Sequence, residues 1–92
     1  MSIKLSKIAL KNPLEAETTL TVASKGQTHT LEVQVLGQKS IAVDKTFDFE
    51  NLAANEVITI TLGDLGSGEI AASKAENKWV VLKKNDAKVC QI

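Results

Sequence analysis

From Thr28 to Val35 the chain reads Thr-His-Thr-Leu-Glu-Val-Gln-Val, apolar at Leu31, Val33 and Val35 and polar at Thr30, Glu32 and Gln34. A period of two sends one set of side chains to a core and the other to water, which predicts a half-buried antiparallel strand. The same alternation recurs at Leu20 and Val22, at Ile41 and Val43, at Phe47 and Phe49, and at Ile58, Ile60 and Leu62. Repeated in this way over 92 residues with no composition break, it predicts one all-β domain spanning residues 1–92.

Turn residues divide the chain into strands. Asn12-Pro13 ends a first strand over residues 2–10, because proline cannot donate to a ladder. Within that strand Ile3 and Leu5 are out of phase with Ile8 and Leu10, which calls for a bulge or for a strand that changes sheets. Residues 17–24 and 28–36 read as a hairpin around Lys25-Gly26-Gln27. Two short strands, 40–43 and 46–50, flank Asp44-Lys45; residues 51–55 form a loop with Leu52 as an apolar plug, and 56–62 is a β-branched strand. The glycine-rich run Gly63-Asp-Leu-Gly-Ser-Gly68 interrupts regular structure. Residues 69–76 fit either a strand or a helical turn, and Asn85-Asp86 turns the chain into a last strand, 87–92. Seven to nine short strands joined by tight turns predict a single antiparallel β-sandwich, with a small β-barrel as the alternative.

Composition narrows the function classes. Lysines and carboxylates balance at eleven each, so no net field draws the chain to nucleic acid or to an anionic membrane. Every basic residue is Lys, and the planar fork by which Arg grips phosphate or guanine is missing. No apolar stretch approaches the roughly 20 residues of a membrane span, and Lys4 and Lys7 break up the N-terminal region where a signal peptide would be apolar. Cys90 is the sole cysteine, which excludes an internal disulfide and fits a reducing compartment, the cytoplasm, or a virion assembled there.

The inventory for chemistry is short. His29 and Cys90 would make at most half of a zinc site, or a Cys–His pair if the second or third strand lay beside the last. His29 reads instead as a solvated hairpin shoulder and Cys90 as a small residue packed in the final strand. Asp44, Asp48, Glu50 and Asp64 could gather at one end around Ca²⁺, but their spacing matches no calcium loop, and the 63–68 loop lacks the Lys-Ser or Lys-Thr ending of a phosphate cradle. No metal, cofactor or catalytic constellation is predicted, and the chain reads as a non-enzyme. The three aromatic residues, Phe47, Phe49 and Trp79, are expected to anchor the core.

One segment breaks the alternation. Trp79-Val80-Val81-Leu82 is apolar on both faces, as is the final strand around Cys90 and Ile92. Such a strand is either central and covered on both sides or an edge whose outer face meets a partner. Trp79, Val81, Leu82, Cys90 and Ile92 are therefore the candidate interface, with a protein partner that is either another copy in a homo-oligomer or a larger lattice, and with the terminal strands extending a partner's sheet.

The block Thr46-Phe-Asp-Phe-Glu-Asn-Leu52 followed by Glu56-Val-Ile-Thr-Ile-Thr-Leu62 resembles the strand, plugged loop and strand that cross one end of immunoglobulin-like and fibronectin-type-III-like β-sandwich modules. The chain departs from that pattern in having no Tyr, no cysteine pair and its Trp late in the sequence. Modules of this kind occur in phage virion decoration proteins, pilus components and adhesive proteins, so the resemblance implies a structural or assembly role such as capsid decoration. The alternative is a soluble glycan- or peptide-binding module that uses the 51–55 and 63–68 loops at one end of the sandwich.

Overall fold

The computed structural model describes residues 2–71 and 78–91. Eight strands run in the order β1 (Ser2–Ala9), β2 (Thr18–Ser24), β3 (Gln27–Val33), β4 (Ser40–Asp48), β5 (Val57–Leu62), β6 (Ser67–Ala71), β7 (Lys78–Val81) and β8 (Lys88–Gln91), with a 3₁₀ turn, η1 (Gly63–Leu65), between β5 and β6. They form two separate four-stranded antiparallel sheets, β4-β1-β8-β7 and β3-β2-β5-β6, so the fold is a β-sandwich and not the barrel alternative. Among the described residues no helix is long and apolar enough to cross a membrane.

The core follows from the alternation. Ile3, Leu5 and Ile8 of β1, Leu20 and Val22 of β2, Ile58, Ile60 and Leu62 of β5, and Val89 of β8 are all buried between the sheets, joined by Phe47 and Phe49. Each such side chain contributes about 1.5–3 kcal/mol by leaving water. The phase change in β1 is a bulge: the register slips between Leu5 and Lys7, and Ser6 is the extra residue that returns Ile8 to the inner face. The strand stays in one sheet.

The sequence expectations shift at three places. Residues 40–48 form one strand and not two, because Asp44 takes a left-handed φ of 45° at the slip opposite the β1 bulge and the ladder resumes on both sides of it. The β2–β3 turn has two residues, Lys25 and Gly26, both at positive φ, with Ser24 paired to Gln27. These are the dihedral signs of a type I′ hairpin. The opening alternation outruns its strand: Thr18 opposite Val33 is the last partner β2 offers, so Val35 and Leu36 lie beyond the ladder, about half exposed. Leu52 does plug the β4–β5 crossing. Of the 69–76 segment, residues up to Ala71 belong to β6, and 72–76 lie outside the described residues.

The two open sides of the sandwich are closed differently. On one side β3 faces β4 through side chains: the Gln27 amide donates to Glu50 O (2.7 Å) and accepts from Glu50 N (2.8 Å), and His29 Nε2 donates to Asp48 O at 2.7 Å. The imidazole also packs edge-on against Phe49, with centroids 4.9 Å apart. On the other side β6 leans on β7, where a Cβ at Gly68 would lie 2.5 Å from Val80 Cγ1 and 2.7 Å from Val81 O. Only glycine permits that approach.

Gln91 is the anomaly of the interior. It is fully buried, with neither its amide nitrogen nor its oxygen hydrogen-bonded. An unsatisfied buried amide costs about 1–3 kcal/mol. Gln91→Met, which keeps the length and removes both polar atoms, is expected to raise the urea midpoint by an amount equivalent to about 1–2 kcal/mol. Gln27→Ala is expected to lower stability by about 1–2 kcal/mol and to speed hydrogen exchange at the Glu50 amide.

Candidate functional surface

The outer face of the β4-β1-β8-β7 sheet carries two exposed apolar side chains, Trp79 and Val81; the others, Val57 on β5 and Val35 and Leu36 after β3, are scattered. Register aligns Ala42, Lys7, Cys90 and Trp79 in one row across the four strands and Ser40, Ala9, Lys88 and Val81 in the next. Strand alternation turns Val80 inward and leaves Trp79 43% and Val81 62% exposed. Among the described residues β7 has only β8 beside it in the sheet, at its edge. Trp79 is therefore a surface residue, and the aromatic anchors of the core are Phe47 and Phe49 alone.

Lys7 completes this surface. Its Nζ reaches across the Cys90 position to lie 5.7 Å from the centroid of the Trp79 ring, within cation–π range. Cys90, between them in the row, is free and buried beneath their side chains. The sequence analysis placed five residues at an interface. Trp79 and Val81 are at the surface, Leu82 turns into the core, Cys90 lies under its neighbours, and Ile92 lies outside the described residues. The sequence missed Lys7 and Lys88, whose even spread along the chain gives no clustering signal.

The other candidates separate. His29 is on β3 and Cys90 on β8, in different sheets, so the condition for a Cys–His pair, a last strand beside β2 or β3, is not met. His29 is half-buried and committed to Asp48 and Phe49, not a solvated shoulder. Asp48 and Glu50 precede the β4–β5 crossing while Asp64 follows β5, at the far end of the sandwich. Among the described residues no three His, Cys, Asp or Glu side chains gather where a metal could be held. The loops 51–55 and 63–66 likewise flank opposite ends of β5, and residues 67–68 already belong to β6, so the two loops do not share one site. Strand addition at the termini is closed as well, since β1 lies between β4 and β8, and β8 between β1 and β7.

An open groove of about 670 Å³ occupies the end of the sandwich beneath the β1–β2 connection, lined by Pro13, Leu14, Glu15, Glu17, Asp64 and Leu65 among others. Asn85 fixes its wall: its Oδ1 accepts from Asn12 N (2.9 Å) and its Nδ2 donates to Asn12 O (3.0 Å). Leu14 O accepts from Gly37 N at 2.9 Å, which holds the loop from the other side.

If Trp79 and Lys7 shield Cys90 as the register implies, Trp79→Ala is expected to speed the reaction of Cys90 with a thiol reagent such as DTNB at least several-fold over the wild-type chain. In comparisons with known proteins, the chain matches no protein-family model, no curated protein and no solved structure.

Proposed function

We propose that this β-sandwich is a non-enzymatic structural or assembly module that docks on protein through the outer face of the β4-β1-β8-β7 sheet. The observation that carries the reading is the pair of outward apolar side chains, Trp79 and Val81, side by side on a sheet face whose neighbouring rows are small residues and lysines. Indole groups are enriched at interfaces because they bring a large apolar area at low conformational cost. The mode is face docking, since β6 packs close beside β7, where a Cβ at Gly68 would lie 2.5 Å from Val80 Cγ1 and 2.7 Å from Val81 O, and Leu65 O accepts from Lys83 N (3.2 Å) and Lys84 N (2.9 Å) just past the end of the strand.

The resemblance to immunoglobulin-like modules is part of this proposal, and the strand order supports it. β1 to β6 follow the connectivity of the B, C, C′, E, F and G strands of such modules, with β4 beside β1 and the order β3-β2-β5-β6 in the second sheet. β8 takes the place beside β1 where those modules carry their first strand. A repeating protein surface, such as a capsid or a fibre, is the setting this resemblance implies. A glycan platform is the second reading, favoured by the exposure of Trp79 on a flat sheet face.

Side chains kept on a surface for a partner add little to the fold itself. Val81→Thr and Trp79→Lys are each expected to lower the thermal midpoint by less than about 8 °C, the shift for 1 kcal/mol or so in a domain of this size, and to reduce binding of a hydrophobic dye. A larger fall in either variant would make the two residues part of the monomer's own packing and remove the docking reading.

A further inference from the structure

We infer that the partner of the Trp79 face is a second copy of this chain, which receives it in the acidic groove beneath the β1–β2 connection. The inference rests on the docking reading above and adds the occupant. The Trp79 face is apolar and basic: Lys7 leans over the indole, and Lys88 lies directly across from Val81. The groove is apolar and acidic: Leu14, Leu65 and Pro13 line it with Glu15, Glu17 and Asp64. Among the described residues neither set is engaged in an ion pair. The one ion pair among the described residues, Lys25–Glu56 at 3.1 Å, sits at the opposite end of the sandwich from the groove. A formal net charge of zero thus conceals two complementary surfaces, one on a sheet face and one at the end of the fold.

Two other self-contacts of this sheet are disfavoured. A two-fold, face-to-face dimer would bring two lysine-bearing faces together, which like charge disfavours. Sheet extension is hindered at β7 by the close approach of β6 at Gly68, and at β4 by the left-handed Asp44 and by Gln27 and His29, which occupy the Glu50 and Asp48 backbone. Face into groove instead pairs lysines with carboxylates. The two surfaces cannot meet within one copy, so the contact is head-to-tail and each copy added leaves one face and one groove free. The groove is held open by the Asn12–Asn85 and Leu14–Gly37 hydrogen bonds, so no rearrangement of it is required.

Light scattering on the full chain, at concentrations up to about 1 mM and at low and high salt, tests this. The mass is expected to rise above 9.9 kDa with concentration and to fall back as salt screens the pairing. The double variant Lys7→Glu/Lys88→Glu and the double variant Glu15→Lys/Glu17→Lys are each expected to remain monomeric. Mixing the two is expected to restore association, because the reversed face then meets the reversed groove. Circular dichroism confirms that each variant is folded. A wild-type mass fixed at the monomer value, association that survives either reversal, or a mixture that stays monomeric overturns the inference. The outcomes also separate the two claims: a monomeric wild type whose Val81→Thr and Trp79→Lys variants keep their thermal midpoint retains docking on a foreign protein and eliminates the second copy.

Discussion

The contact between two aliphatic sheet faces is the constraint on which the rest of this structure depends. Ile3, Leu5, Ile8, Leu20, Val22, Ile58, Ile60, Leu62 and Val89 present almost nothing but hydrocarbon, and neither sheet could leave that face in water. The β1 bulge at Ser6 exists to serve this contact, since without the extra residue Ile8 would turn outward. The same demand sets the two side closures. Where β3 meets β4 the sheets are far enough apart for Gln27 and His29 to bridge them with hydrogen bonds; where β6 meets β7 they come so close that only Gly68 fits.

With the interior satisfied, the outer faces are free to differ, and they do. The β3-β2-β5-β6 sheet shows water a row of hydroxyls, Thr30, Thr21, Thr61 and Ser67 lying side by side across all four strands. The opposite sheet shows lysines, small residues and the exposed pair on β7. A sandwich that needed only solubility would have no use for an indole on its surface, and this contrast between the two faces gives the docking reading its physical content.

Much of the candidate surface was legible in the chain. A stretch apolar at Trp79, Val80, Val81 and Leu82 cannot be hydrated on either face without cost, and that alone marked it as unusual. What alternation could not say is which parity points outward. Leu82 is buried and Val81 is not because β7 turns Val80 and Leu82 onto the core, a choice made by the pairing of Trp79 with Cys90 and Val80 with Val89. Trp79 was expected in the core because large aromatics are usually buried, and the expectation failed because Val80 and Leu82 take the inward parity of this segment and leave Trp79 on the outer face. Lys7 was invisible, because its role depends on β8 lying between β1 and β7, a neighbour relation some eighty residues apart in sequence.

The sequence by itself determined the period of the strands, the hairpin around Gly26, the turn at Asn85-Asp86, the plug at Leu52 and the irregularity in β1. All are local properties, fixed by side-chain alternation and by residues that accept positive φ. Only the tertiary structure decided that β1 and β8 are central strands, that Asp44 is a bulge within one strand, and that His29 serves the seam between sheets. It alone brought Glu15 and Glu17 to the same groove as Asp64. Those outcomes turn on which strands pair and in what register, and pairing is a contest between distant segments for the same edges that no local pattern records.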